Sequence, residues 1–215
     1  MGTRDDADRA ERELRSTEGA GYTDRLLAHE KRGWLRKNLD VQAPYRWDLK
    51  RLDLGHTLDV GCGLGRNLLN LEGGVGVDHN AESIAVARSR GLTAYTIEGF
   101  LASEHAVPES FDSLLFAHVL EHMGRDEGFD LVSLYLPFLK PGGRVCFITP
   151  QEAGYRSDPT HVHFVDSQGL RDVCERFDLE IERDYSFPFP RPIGHIFTFN
   201  QFEVVARKAP SVVSA

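Results

Sequence analysis

Four groups of residues in this 215-residue chain have types and spacings that could do chemistry. The first is Asp59-Val60-Gly61-Cys62-Gly63-Leu64-Gly65, an acid followed by three glycines at alternate positions. Such a stretch lets the main chain turn where a Cβ would block it, and lets a ligand approach the backbone closely. The second is Asp78, about twenty residues beyond Asp59, where a carboxylate can accept both hydroxyls of a ribose or simply cap a turn. The third is His118, Glu121 and His122. On a helix the two histidines would share a face, a spacing compatible with metal, but plain hydrogen bonding beneath a ligand is the better reading. The fourth is Asp158-Pro159-Thr160-His161-Val162-His163-Phe164. An imidazole there could take a proton from a hydroxyl, with His161 preferred as the base. Alternatively Asp158 pairs with a histidine to fix the loop, or Asp158, His161 and His163 hold a divalent ion. Metal ranks last in both groups, so no metal site is expected.

The elements that must position these groups alternate. Residues 57–60 read as a buried strand running into the glycine turn, with a helix-compatible segment from Asn67 to Leu71. A second strand covers 74–78. Asn80 then caps a helix with an Ala81, Ile84, Ala85 face that Gly91 ends. Strands follow at 93–97, 113–116 and 144–149. Between the last two, Leu131, Leu134, Tyr135 and Phe138 form one helical face, stopped by Lys140-Pro141-Gly142-Gly143. This order implies right-handed βαβ crossovers and a parallel sheet covered on both faces. Ligands bind such sheets at the carboxyl ends of the strands, which selects Gly61 to Gly65, Asp78, Glu98 to Leu101, Ala117 to His122 and the loop after Pro150. The chain closes on a helix capped by Asp166, then an antiparallel strand pair joined by the proline-rich loop from Phe187 to Gly194.

Residues 1–52 read as a solvated arm and a helical cap, with Gln42 to Trp47 either closing over the site or only packing. Residues 53–208 form the core domain and 209–215 a loose tail. A net charge of −8 argues against a nucleic-acid partner, since neutralising phosphates takes clustered Lys and Arg. No apolar run approaches the roughly 20 residues of a membrane span, and the amino terminus lacks the apolar stretch of a signal peptide. Three cysteines without a C-x-x-C pair fit reduced thiols in the cytoplasm. Nothing in the sequence marks an oligomeric state.

Four segments in register carry a family resemblance: the glycine turn, Val77-Asp78, Phe111-Asp112 through Ala117-His118-Val119-Leu120-Glu121-His122, and Leu139-Lys140-Pro141-Gly142-Gly143. Together they resemble the motif series of class I S-adenosylmethionine (SAM)-dependent methyltransferases. The resemblance implies a Rossmann-like α/β fold, a doubly wound seven-stranded sheet, mostly parallel with an antiparallel C-terminal strand. It implies SAM as the cofactor and methyl transfer to an oxygen or nitrogen of a small-molecule acceptor. Asp59 and the backbone of Gly61, Cys62, Gly63 and Gly65 would meet its methionine part. Asp78, with His79 beside it, would hold the ribose, Gly99, Phe100 and Leu101 would flank the adenine, and Ala117 and His118 would line the floor near the sulfonium. Relatives often carry an Asp after the third strand; Glu98 stands near that place here. Two rivals remain open. A nicotinamide oxidoreductase would want a third glycine where Arg66 stands. A non-catalytic SAM-binding regulator would keep the cofactor motif alone.

Overall fold

The strands that lead to the glycine turn and to Asp78 are buried on both faces, as strands covered by helices on both sides must be. In the computed structural model, which describes residues 43–210 and the helical positions 21, 23, 24 and 27, all four residues of β1 (Thr57–Val60) are buried, as are all three of β2 (Val75–Val77). With β3 (Ala94–Tyr95), β4 (Phe111–Ala117), β5 (Leu139–Pro150), β6 (Leu179–Phe187) and β7 (Gln201–Lys208) they form one seven-stranded sheet in the order β3-β2-β1-β4-β5-β7-β6. The first five strands run parallel. β7 lies antiparallel between β5 and β6, in register from Arg144 opposite Arg207 to Pro150 opposite Gln201. The expected doubly wound sheet with an antiparallel C-terminal strand is therefore present.

One face is filled by Phe116, Phe147 and Phe202, beneath Val132 and Tyr135 of the helix Arg125–Tyr135 and Leu170 and Val173 of the helix Ser167–Arg176. On the other, Leu49 and Leu52 of α1 (Ala43–Leu52) sit on Leu115, Cys146, Ile148 and Val205. Fully burying a Leu contributes about 1.5–3 kcal/mol, so α1 is fixed to the sheet by its last turn. Trp47, expected among the closing residues, is 60% exposed. Asn80 and Asp166 cap their helices as expected, accepting from Glu82 and Ser83 and from Gly169. The arm at 1–20, Trp34, Leu35, Gln42 and nearly all of the tail lie outside the described residues.

Four local expectations are corrected. No α-helix follows the glycine turn: Leu68–Asn70 makes one 3-10 turn, and Gly73 and Gly74 follow at once. The third strand stops at Tyr95 because Thr96 caps a short helix, α3 (Ile97–Leu101; α2 is Ala81–Ser89), accepting from the Gly99 N–H. The helix ends at Tyr135 and Pro137 sits in the 3-10 turn that carries Phe138; within the helix Val132, not the 39%-exposed Leu134, is buried. Lys140 to Gly143 belong to β5 itself, beside a register shift between Phe111 and Ser113.

Candidate active site

The glycine turn is folded across the end of β2. The N–H groups of Gly61 and Cys62 both donate to the Val77 carbonyl, at 2.7 and 3.0 Å. Gly61 has φ +76°, and a Cβ built on it would lie 2.0 Å from Val119 Cγ2, so the position excludes every other residue twice over. Gly65, at φ +79°, is closed by Leu92 in the same way, which makes it a packing glycine. The Asp78 carboxylate ties the turn to the strand beside it: Oδ2 accepts from Gly63 N at 2.8 Å and Oδ1 from Asn80 N at 2.8 Å. His79 Nδ1 stands 3.5 Å from Oδ1.

Asp59 is wholly buried. Its Oδ1 accepts from Asn67 Nδ2 at 3.2 Å, and Asn67 in turn accepts from the Tyr45 hydroxyl at 2.9 Å, linking α1 to the turn. Oδ2 has no hydrogen-bond partner among the described residues. Burial pushes the Asp59 carboxyl up to about 7, against the pull of the Asn67 amide and Arg66.

Facing the turn is a floor of side chains. β4 ends at Ala117, and His118 takes a left-handed φ of +58° that lets the chain double back into the 3-10 turn Leu120–His122. His118 and His122 therefore do not share a helical face. Glu121 is fully buried, its Oε1 lying 3.3 Å from His118 Nδ1 and 3.9 Å from His161 Nε2, while Oε2 has no partner among the described residues. Burial pushes the carboxyl up most strongly, but the hydrogen bond and charge of His118, the charge of His122 and a backbone hydrogen bond together outweigh it and hold the carboxyl below the ordinary range. His161 is stacked on Tyr155 with ring centroids 5.4 Å apart, and its Nδ1 contacts the Tyr155 carbonyl at 2.8 Å. Asp158 fixes the loop through Thr160 rather than through a histidine, accepting at Oδ1 from its N–H (2.9 Å) and its hydroxyl (2.6 Å). The set Asp158, His161 and His163 is not assembled as a metal cluster among the described residues. Glu121, His122 and His161 are brought together instead. Sequence reading placed Glu121 between the two histidines of its own segment and did not join it to His161. The available signal was that an acid and a histidine after β4 and a histidine after β5 all fall at the carboxyl edge of the sheet.

Turn and floor open on one cavity of about 310 Å³. Gly61, Cys62, Gly63, Ala117, His118 and His161 of the expected residues line it, together with Tyr45, His122, Phe187 and Pro188. Asp59, Gly65, Asp78, His79, Gly99 and Leu101 do not. Phe100 differs from the rest of the expected set. It is completely inaccessible, packed edge-on to Phe138 at 5.0 Å and against Phe111 and Tyr135, so its ring cannot flank a ligand.

Residues 58–147 match the family described as a methyltransferase domain. No curated protein matches the chain. Among solved structures, a SAM-dependent methyltransferase from Archaeoglobus fulgidus is 18% identical with a TM-score of 0.54, over 76% of this chain and 93% of that one. The N-methyltransferase NodS from Bradyrhizobium japonicum, solved with S-adenosyl-L-homocysteine (SAH), is 16% identical with a TM-score of 0.59, over 81% and 91%. Magnesium protoporphyrin IX methyltransferase from Synechocystis is 12% identical with a TM-score of 0.55, over 79% and 86%. At these identities the structural likeness speaks for the fold; the domain match speaks for the family. Residues 58–147 carry a methyltransferase domain, which makes the chain an enzyme of the transferase class, and domain and fold together are consistent with a class I SAM-dependent methyltransferase. The nicotinamide reading yields to it.

Proposed function

We propose that this protein moves the methyl group of SAM to an oxygen or nitrogen of a small-molecule acceptor held between the glycine turn and the histidine floor. One observation carries this reading: a main-chain turn of the kind that admits a cofactor and a floor of proton-binding side chains face each other across a single cavity. SAM supplies a methyl on a sulfonium, and an acceptor lone pair attacks it in line. The protein's part is alignment, which can be worth roughly 7–11 kcal/mol.

In this reading the backbone of Gly61 to Gly65 takes the methionine part, and the unpartnered Asp59 Oδ2 meets its ammonium. Asp78, whose oxygens each accept one N–H and keep a lone pair, holds the ribose with His79 alongside. Gly99 and the half-exposed Leu101 border the adenine, and Ala117 and His118 lie under the sulfonium. Phe187, Pro188 and Phe199 on the far wall, and the cavity's modest size, suit a small acceptor with an apolar body. The charge of −8 disfavours nucleic acid, no helix among the described residues is long and apolar enough to cross a membrane, and a cytoplasmic location accords with three buried free cysteines. Where the acceptor is a hydroxyl, its proton is lost at the floor that carries His161.

Labelled SAM offered with panels of hydroxylated and amine-bearing small molecules tests the reading. SAH should form only with a competent acceptor, and His161→Ala should lower transfer to a hydroxyl acceptor about 10²-fold. A chain that binds SAM yet transfers methyl to no acceptor would favour the regulatory alternative.

A further inference from the structure

The floor holds more than a base would need. Glu121 is inaccessible to solvent, and among the described residues no Lys or Arg pairs with it. A buried carboxylate with one oxygen unpartnered is costly unless a positive charge meets it. The two histidines beside it are turned to present lone pairs rather than protons. His161 Nδ1 is 2.8 Å from the Tyr155 carbonyl, which can only accept, so Nδ1 carries a proton and the neutral ring has its lone pair on Nε2, the atom nearest Glu121. His122 Nδ1 lies 3.2 Å from the Thr160 carbonyl and 3.1 Å from its hydroxyl oxygen. That hydroxyl is already donating to Asp158 at 2.6 Å, so it too accepts from His122, whose Nε2 is left with its lone pair. Anchoring one ring nitrogen on a carbonyl so that the other can ligate is the outer-shell arrangement of metal-binding histidines.

We infer that Glu121, His122 and His161, whose ligand atoms lie within 4.8 Å of one another, form a binding site for one divalent first-row transition-metal ion at the acceptor end of the cavity. Two imidazoles and a carboxylate suit Mn²⁺, Fe²⁺, Co²⁺ or Zn²⁺ better than Mg²⁺ or Ca²⁺, which want oxygen ligands. Ligands held 2.0–2.2 Å from one ion stand roughly 3–3.5 Å apart, so binding draws the three side chains inward. His118, 3.3 Å from Glu121 Oε1, orients the carboxylate from the cavity side. The site itself is read from these residues alone; its role rests on the methyltransferase reading. An acceptor hydroxyl on the ion loses its proton to water. The oxygen lone pair then forms the bond to the methyl carbon, and the carbon–sulfur pair returns to sulfur, leaving SAH. His161 is then an ion ligand, and the polarised hydroxyl needs no separate imidazole base.

The test is calorimetric titration of the chelator-treated full chain with Zn²⁺ and, separately, Mn²⁺, with SAH titrated into the same samples. The site predicts saturation at one ion per chain and at least tenfold weaker binding in both Glu121→Gln and His161→Asn, with SAH affinity unchanged. Absence of ion binding to the folded wild-type chain overturns the proposal, as does equal binding by either folded variant. If Glu121→Gln fails to fold, His161→Asn and the wild-type titration decide the matter. Ion binding without SAH binding would leave the site standing and count against the methyltransferase reading instead.

Discussion

The two walls of the cavity are made of different material. On the turn side the contacts are main chain: Gly61 and Cys62 hang from the Val77 carbonyl, and Gly63 from Asp78. On the floor they are side chain held by side chain, through Asp158, Thr160, His122, His161 and Glu121, contributed by the segments after β4 and β5. A main-chain wall tolerates almost no change at its glycines, because the constraint is steric and conformational. A side-chain wall can be altered one hydrogen bond at a time, leaving the fold in place and changing the chemistry. In the proposed reading, that is where acceptor choice varies while the cofactor wall stays fixed.

Substitution at Gly61 should break the turn side most severely. Gly61→Ala places a Cβ 2.0 Å from Val119 Cγ2 at φ +76°, and should lower unfolding free energy by about 2–5 kcal/mol and abolish SAH binding. Adding Val119→Ala removes the collision and should recover all but about 1–2 kcal/mol, the cost of the left-handed backbone. A full rescue in urea denaturation would show that backbone conformation contributes nothing.

On the floor the effect should be smaller and of another kind. Thr160→Val removes the hydroxyl that bridges Asp158 and His122, while the Thr160 N–H still reaches Asp158. Stability should fall by about 1 kcal/mol, methyl transfer should slow, and SAH affinity should stay level. A parallel loss of SAH affinity would mean that the two walls are not separable.

The same contrast explains what the sequence disclosed. The turn, Asp78 and the caps at Asn80 and Asp166 are local arrangements, written in neighbouring residues, and each stands where spacing placed it. The sheet order followed from alternation of apolar strands with helical faces. The floor was legible only in pieces, since Glu121 meets His161 across a gap of forty residues and no periodicity relates them. Proximity in sequence suggested Asp158 with His161 and His163; the fold instead sends Asp158 to Thr160. The burial of the Phe100 ring was hidden for a related reason: Thr96 starts a helix where a strand end was expected, and the turn it makes points the ring into the core.

The central claim is that the turn beside Asp59 receives the amino-acid end of SAM. Asp59 has a raised pKa of about 7 in the folded chain, so its ionisation costs stability as pH climbs from the ordinary carboxylate range to that value, and a ligand ammonium at Oδ2 offsets the cost. Titration calorimetry with SAH at pH 6 and pH 8 measures this directly. The account predicts binding at one equivalent, about tenfold tighter at the higher pH, and a weak, pH-independent affinity in Asp59→Asn. A folded chain that takes up no SAH at either pH, or an Asp59→Asn variant that binds as the wild type does, would contradict it.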